Sequence, residues 1–242
     1  MSIGLLAGLV HQSTMHFVKP SVKLLYAPVN GLERAYLAAR RCYFGGDARE
    51  LVDEVKKASR EEQAKLVRSC IKSGHESILE HVTFTFHMTL SRAASHQIVR
   101  HRLATYSQMS QRYCKIDDLG VVAPREDCVD NFGFMLVINI LEKMYKRLIN
   151  KRGWAAEDAR ALLPNCGFTH MVVTMNVRQL RHFFEERCCN RAQKEIRGLA
   201  NSLLAQMREY EPELFENAGP KCLKLGRCPE AKPCGCNPWK KA

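Results

Sequence analysis

The sequence lacks the features that mark secreted and membrane proteins. No apolar run approaches the roughly 20 residues that a membrane-spanning helix requires. The apolar segment Ile3–Val10 has no basic run before it and no clean cleavage site after it, unlike a signal peptide. The cysteine count is odd, at 11, whereas secreted disulfide scaffolds are short and carry an even number. We therefore expect a cytoplasmic protein with reduced thiols.

Familiar phosphate and metal motifs are also missing. The sequence contains neither G-x-G-x-x-G nor G-x-x-x-x-G-K-[ST], so neither a Rossmann cradle nor a P-loop is available. His75-Glu76 and Glu80-His81 suggest a zinc protease, but the two histidines are six residues apart rather than four. They would point to different helix faces, so we expect no metal at this segment.

Acidic residues are too few to balance the basic ones. Lys and Arg number 37 against 25 Asp and Glu, which gives a net charge of +12 and predicts an anionic partner. A nucleic-acid binder more often carries its basic residues as an exposed stripe or tail. Here many arginines fall inside apolar-patterned segments, which favours a phosphate pocket: Arg92, Arg100, Arg102, Arg112, Arg160, Arg178 and Arg187.

The chain has 242 residues, enough for one sizeable core or two small ones, with no internal repeat and no long linker. We expect a mixed α/β (α+β) fold with a central β-sheet flanked by helices in a single catalytic domain. The expected organisation is an N-terminal extension over 1–22, a catalytic domain over 23–218, and an irregular Cys-rich tail over 219–242.

Apolar patterning predicts both strands and helices. Strands are expected at Val22–Tyr26, Val82–Met88 and Met171–Met175. Helical spacing predicts helices over Asn30–Ala39, Asp47–Ser73 and Ser91 to about Arg102, with Gly74 ending the second. Asn176–Gln179 has the shape of a capping box, and Asn190–Gln193 repeats it, so a break is expected at Cys188-Cys189. The helix after that break carries one apolar stripe: Ile196, Leu199, Leu203 and Met207.

A basic cluster near residue 100 is the strongest candidate for chemistry. On the expected helix, Gln97 and Arg100 are spaced i, i+3 and would share a face. Arg102 follows, and Arg112 lies beyond a polar loop that includes Ser110. Arginines bind phosphates through bidentate, permanently charged contacts. The alternative is a solvated basic helix end, where cations are also favoured.

For the other candidates, the spacing alone favours a structural role over a functional one. Arg187 closes a helix, where it could compensate the helix dipole or pair with Glu185 or Glu186. His75 follows Gly74 in a turn, and a single histidine is more often structural than catalytic. Four tail cysteines have irregular spacing that is compatible with a structural zinc, a disulfide or free thiols: Cys222, Cys228, Cys234 and Cys236.

The segment Arg100-His101-Arg102, followed by seven residues and Ser110, resembles the signature of the flavin-dependent thymidylate synthases. The continuation Gln111-Arg112-Tyr113 is also similar. The resemblance covers about residues 23–215 and includes further segments of the chain: His75–Ser77, Glu80-His81, Ser91-Arg92, Gln97, Arg160, Leu162–Pro164, Asn176–Arg178, His182, Arg187, Ala192-Gln193 and Glu195-Ile196.

The resemblance implies an enzyme that makes dTMP from dUMP, with 5,10-methylenetetrahydrofolate as carbon donor and NADPH-reduced FAD as hydride source. It also implies a homotetramer in which several subunits build each active site, with no nucleic acid and no membrane as partners. Two rival hypotheses remain open at this point. One is a basic nucleic-acid-binding module, and the other is a family member that binds flavin without methylating.

The resemblance also implies which residues meet each ligand. FAD would touch Ser77, Arg100, His101, Arg102, Leu103, Gln108, Asn176, Val177, Arg178 and His182. The nucleotide would touch Gln97, Ile98, Val99, Arg100, Gln108, Met109, Ser110, Gln111, Arg112, Arg160 and Arg187. The residues implied in catalysis are Arg187 and His75.

The implied catalytic roles are electrostatic. Arg187 would favour ionisation of the uracil N3 position by stabilising the developing anion, because arginine itself stays charged. His75 would lie near the flavin–folate face. Ser110 would hydrogen-bond the nucleotide rather than attack it, since no histidine or aspartate in the motif activates it. Two positions depart from many members: Gln108 stands in place of an acidic residue, and His182 in place of Asn.

Overall fold

The computed structural model describes residues 15–236, and these residues fall into two compact units. The first unit contains residues 15–21, Met88–Ile98 and Ser107–Met171. The second unit contains residues 22–87, Val99–Tyr106 and 172–236. Helices and sheets are intermixed along the chain, so the expectation of a mixed α/β fold is confirmed.

The strands are β1 (His16–Phe17), β2 (Ser21–Tyr26), β3 (Thr83–Ser91), β4 (Ala104–Gln108), β5 (Gly120–Val121) and β6 (Phe168–Asn176). The α-helices are α1 (Gly31–Arg41), α2 (Ala48–Lys57), α3 (Arg60–Lys72), α4 (Arg92–Ile98), α5 (Phe132–Arg152), α6 (Ala156–Ala159), α7 (Val177–Arg187), α8 (Lys194–Tyr210), α9 (Pro212–Phe215) and α10 (Lys221–Leu225). Short 3-10 helices cover Glu76–His81, Glu126–Cys128 and Arg160–Leu162.

The larger sheet has the strand order β2-β3-β6-β4. Its strands confirm the alternation seen in the sequence, since every second residue of β3 from Phe84 to Leu90 is buried. Thr85 bonds Thr174 at 2.9 Å and Thr89 bonds His170 at 3.0 Å. The partner number falls as the residue number rises, so β3 and β6 run antiparallel.

The second unit packs its core from aromatic side chains of β3, α7 and α9. Phe84 and Phe215 meet edge to face with ring centroids 5.9 Å apart, and Phe184 and Phe215 meet likewise at 6.1 Å. All four stripe residues of α8 are buried as expected: Ile196, Leu199, Leu203 and Met207. Burial of this stripe fixes α8 within the unit.

The single helix expected over residues 47–73 is wrong, because the structure has two helices there. α2 ends at Lys57, and Ala58 is extended with ψ 130°. Ser59 then begins α3 with a capping box, in which its hydroxyl accepts from the Glu62 N–H and the Glu62 carboxylate accepts from the Ser59 N–H. The S-x-x-E pattern inside the apolar periodicity marks the new start.

The helix expected from Ser91 to about Arg102 is too long. Ser91 does accept the N–H of Ala94 at 3.0 Å, but α4 ends at Ile98. Arg100 therefore lies outside the helix and does not share a helical face with Gln97. Residues 99–103 form a turn and loop that lead into β4, and the side chain of His101 is buried within this loop.

The start of α7 is confirmed and the start of α8 is not. Asn176 accepts the N–H of Gln179 at 2.8 Å, as expected for its cap. α7 ends at Arg187, so the break at Cys188-Cys189 is also confirmed. α8 begins only after Gln193, whose side chain makes no capping hydrogen bond, so the expected cap at Asn190 is wrong.

The first unit has its own smaller core. Leu119, Val121 and Ile138 are buried there, with Phe134 among the side chains that pack against them. β1 and β5 pair in parallel, His16 with Gly120 and Phe17 with Val121. The expected N-terminal extension is thus described only from residue 15, and residues 1–14 lie outside the described part. The same holds for residues 237–242 of the expected tail.

Among residues 15–236, none of the helices combines the length and apolar character needed to span a bilayer.

Candidate active site

In the R-H-R segment of the signature, the two arginine side chains are exposed and the histidine side chain is buried. Arg100, Arg102 and Leu103 are exposed, and Leu103 keeps 69% of its surface. His101 between them is only 5% exposed. Two guanidiniums and an apolar side chain thus face solvent from one short loop, where they can meet an anionic, partly aromatic ligand.

His101 is hydrogen-bonded on both ring nitrogens. Arg187 donates from Nε to His101 Nε2 at 3.1 Å, and the Gln179 side-chain amide lies 3.2 Å from His101 Nδ1. Because Arg187 can only donate, Nε2 must accept and the ring proton of neutral His101 belongs on Nδ1, so Gln179 must turn its side-chain amide oxygen toward Nδ1 to accept that proton. Tyr106 donates its hydroxyl to the His101 carbonyl at 2.7 Å, which anchors the backbone.

The surroundings of His101 keep its imidazole neutral. Burial, followed by the positive charges of Arg187 and His182, lowers the pKa of His101 from 6.5 to about 4. The His182 ring meets it edge to face at 5.6 Å, and Phe183 does so at 5.1 Å. A neutral His101 accepts from Arg187 without repelling it, so the guanidinium keeps a fixed position.

The lowered pKa of His101 predicts a pH dependence of stability. Unfolded His101 binds a proton below about pH 6.5, whereas folded His101 does so only below about pH 4. The free energy of unfolding should therefore fall as the pH drops through this window, by about 3 kcal/mol in total, and show no such loss above it. Urea unfolding of the wild type and of His101→Asn across this range measures the effect. An identical pH slope in both proteins would contradict it.

Sequence reasoning missed Gln179 and Phe183 as parts of this site. Both are buried on α7, eight and four residues before Arg187 respectively, so the three side chains share one face of the helix. The spacing was visible in the sequence. What the sequence could not show is their common partner, His101, which lies 78 residues from Gln179.

The start of α7 gathers several of the expected flavin contacts. Arg178 is exposed and forms an ion pair with Glu80, and His182 is exposed one turn later. Val177 is buried and donates its N–H to the Val82 carbonyl at 2.8 Å. The N–H groups of Val177 and Gln179 are bonded to Val82 and Asn176, so the α7 N-terminus offers an anionic ligand chiefly its positive dipole end.

The two candidates from the His-Glu segment lie at the surface of the same unit. His75 precedes the 3-10 helix Glu76–His81, and both His75 and Ser77 are exposed. The His75 N–H donates to the Cys70 carbonyl at 2.9 Å, which ties the segment to the end of α3. Both side chains are accessible to a ligand.

The first unit contains Gln108, whose amide is held by two hydroxyls. Gln108 Nε2 lies 3.0 Å from Ser95 Oγ and 3.2 Å from Thr169 Oγ1. Ser95 already donates its proton to the Arg92 carbonyl at 2.8 Å, so it can only accept from residue 108. The amide of glutamine has the N–H that Ser95 needs, whereas an ionised carboxylate has no proton to donate. This hydroxyl arrangement explains how glutamine fits where many members carry an acidic residue.

In the first unit, Arg112 and Arg160 both bond Glu157, and the charge of Arg160 acts on Arg92. Arg112 contacts the Glu157 carboxylate from Nε at 2.9 Å and from its terminal nitrogen at 2.8 Å. Arg160 donates from Nε to the Glu157 carbonyl at 3.1 Å. Burial, together with the nearby Arg160 charge, lowers the pKa of Arg92. Within residues 15–236, only Arg112 of these three cations is paired with a carboxylate, so this part of the unit carries an excess of positive charge that a phosphate can occupy.

The remaining expected nucleotide contacts of the first unit are half-buried or buried. Ile98 is buried in α4, beside half-buried Gln97. Ser110 Oγ accepts the N–H of Arg112 at 3.2 Å, which leaves the hydroxyl proton free to be donated. Met109 donates its N–H to the His170 carbonyl at 2.9 Å. Gln111 is half-buried. The other expected nucleotide contacts, Val99, Arg100 and Arg187, belong to the second unit.

A family model, related sequences and a solved structure all match this chain and agree on one family. The family model described as thymidylate synthase complementing protein matches residues 23–213. The flavin-dependent thymidylate synthase of Nitratidesulfovibrio vulgaris is 41% identical over 227 residues, covering 88% of this chain and 93% of that protein. The one from Clostridium tetani is 40% identical over 234 residues, covering 88% and 92%. The crystal structure of the Helicobacter pylori enzyme complexed with FAD and dUMP aligns with a TM-score of 0.66 at 22% identity, covering 82% of this chain and 99% of that one, which shows a shared fold.

Proposed function

This chain belongs to the flavin-dependent thymidylate synthase family, and we propose on that premise how its own residues make dTMP from dUMP. The reaction is a reductive methylation with 5,10-methylenetetrahydrofolate as the carbon donor. FAD, once reduced by NADPH, supplies the hydride that completes the methyl group. The observation that carries this proposal is the hydrogen bond from Arg187 to His101, the buried and neutral histidine of the signature.

The residues of the second unit fit FAD. Its diphosphate needs cations and N–H donors, and the guanidiniums of exposed Arg100, Arg102 and Arg178 supply both, with the positive dipole end of α7 beside Arg178. His101 is enclosed, so it would act through its neighbours by fixing the loop that carries them. The proposed FAD-binding set is Ser77, Arg100, His101, Arg102, Leu103, Gln108, Asn176, Val177, Arg178 and His182.

The arginines of the first unit suit the phosphate of dUMP. Arg112 and Arg160 offer guanidinium N–H groups beside each other at Glu157, and Ser110 offers a hydroxyl proton. The proposed nucleotide-binding set is Gln97, Ile98, Val99, Arg100, Gln108, Met109, Ser110, Gln111, Arg112, Arg160 and Arg187. Ser110 positions the nucleotide in this proposal, and no cysteine attacks the uracil ring.

Arg187 and His75 have the proposed catalytic roles. The Arg187 guanidinium stabilises negative charge as the uracil N3 proton leaves, and electron density then rises at the carbon to be methylated. Its Nε–H is committed to His101, so the terminal nitrogens would be the ones to contact the uracil. Exposed His75 is placed near the flavin–folate face.

We place the catalytic domain at residues 23–218, which the family match over 23–213 supports. A homotetramer with shared active sites is supported by exposed apolar side chains on one stripe of α5: Val137, Ile140 and Met144 are 54%, 42% and 47% exposed. We place the enzyme in the cytoplasm, in keeping with its eleven free cysteines.

The purified protein is expected to be yellow and to show the visible absorbance of bound flavin. dTMP should form only when dUMP, methylenetetrahydrofolate, NADPH and FAD are all present, because each supplies a different part of the product or its electrons. Omitting one component at a time and measuring dTMP by chromatography tests this. A colourless protein whose affinity for DNA or RNA falls steeply with salt would favour a nucleic-acid-binding module instead.

A further inference from the structure

The Cys-rich tail lies against the break between α7 and α8. A pocket of about 650 Å³ there is lined by six cysteines, two at the break and four in the tail: Cys188, Cys189, Cys222, Cys228, Cys234 and Cys236. Thiols gathered in this way suit a metal, a disulfide or a redox site. Within residues 15–236, however, no three His, Cys, Asp or Glu side chains are arranged to hold a metal ion.

Two of these thiols lie in one tight turn. Gly235 has φ +79°, a left-handed conformation that glycine adopts readily, between Cys234 and Cys236. The turn directs the Cys236 backbone N–H and the Cys236 thiol at the Cys234 sulfur. The Asn190 amide nitrogen lies 2.7 Å from Cys236 Sγ and 4.0 Å from Cys234 Sγ. Three donors therefore converge on the two sulfurs.

The turn is anchored by residues that follow α7. Arg191 donates to the Lys232 carbonyl at 2.8 Å and lies 3.6 Å from the Glu230 carboxylate. Arg197 donates to the Asn190 carbonyl at 2.6 Å, which fixes the residue that touches both sulfurs. The thiol pair is thus held by named contacts even though it is exposed.

The hydrogen-bond donors around Cys234 give its thiol a lower pKa than those of the neighbouring cysteines Cys222 and Cys188. The Cys236 N–H, followed by the Cys236 thiol and the Asn190 amide, lowers the pKa of Cys234. Burial instead raises the pKa of Cys222, and it raises that of Cys188 to about 12. A thiol reacts as its thiolate, so the exposed Cys234 is the nucleophile of this cluster.

We propose that Cys234 and Cys236 form a thiol–disulfide exchange site that reacts with low-molecular-weight disulfides such as oxidised glutathione. The Cys234 thiolate attacks one sulfur of the oxidant, forms a mixed disulfide and releases one glutathione thiolate, which takes up a proton. The Cys236 thiol loses its proton and attacks Cys234 Sγ. The products are a Cys234–Cys236 disulfide and a second glutathione thiol, and the protein loses two electrons and two protons to the oxidant.

The test uses the full-length protein treated with oxidised glutathione and analysed by mass spectrometry of its tail peptides. The wild type should lose two hydrogens at Cys234–Cys236. Cys236→Ser should stop at a glutathione adduct on Cys234, and Cys234→Ser should lose the fast reaction. Cys42, an exposed thiol outside the tail, serves as the internal comparison, and Cys234 should react about three- to tenfold faster.

Two results would overturn this proposal. One is equal modification of Cys42 and Cys234, which would show that exposure alone governs reactivity. The other is a stoichiometric metal in the purified protein that protects both tail thiols until a chelator removes it. The readout is thiol chemistry and needs no turnover, so it is independent of the proposed synthase reaction.

Discussion

Replacing Arg187 by alanine is expected to lower kcat for dTMP formation by about 10²–10³-fold while the protein retains its FAD. Arg187 supplies the charge that stabilises the uracil anion, and its position depends on the hydrogen bond to neutral His101. The proposed flavin contacts involve other side chains. Steady-state kinetics with saturating dUMP, together with flavin content from the visible spectrum, measures both effects.

Two further variants separate this role from a general loss of positive charge. Arg187→Lys keeps the charge but loses the planar guanidinium and the Nε–H that His101 accepts, so most of the loss should persist. Arg49→Ala removes an exposed arginine of the same unit and should leave kcat unchanged. Full turnover by Arg187→Ala would exclude the proposed catalytic role.

Replacing Arg112 by alanine is expected to raise KM for dUMP by about 30- to 100-fold with little change in kcat. A charge-assisted hydrogen bond to phosphate contributes about 2–3 kcal/mol, and the phosphate is remote from the reacting carbon. The measurement is the dependence of initial rate on dUMP concentration at saturating folate and NADPH.

The matched control for Arg112 is Arg125→Ala. Arg125 is also exposed, belongs to the first unit and pairs with an acidic side chain, Asp127, at 3.0 Å. It removes the same charge and a comparable surface ion pair but no proposed ligand contact, so KM should not change. A KM increase of equal size in both variants would mean that net charge, rather than a phosphate site, governs dUMP binding.

Local patterns in the sequence predict most of the helices and strands. The alternation of Phe84, Phe86 and Met88 predicts β3, and the Asn176 cap predicts the start of α7, because both depend on neighbouring residues. The same reasoning gave one helix for residues 47–73, since apolar spacing continues across Ser59 although a second cap is formed there. Periodicity does not show where a cap interrupts a helix.

Long-range contacts could not be read in this way. His101 stands between two basic residues in the sequence, yet it is buried and bonded to Gln179 and Arg187, 78 and 86 residues away. The pairing of Arg112 with Glu157 spans 45 residues. The motif identified the family chemistry, whereas the structure shows which side chains hold the motif in position.

The most direct test of the central claim is a single turnover without NADPH. FAD-loaded enzyme is reduced under anaerobic conditions and mixed with dUMP and methylenetetrahydrofolate, while flavin absorbance and dTMP are followed together. One dTMP should form for each flavin reoxidised, both at the same rate, and Arg187→Ala should react much more slowly. Formation of dTMP without flavin reoxidation, or reoxidation without dTMP, would contradict it.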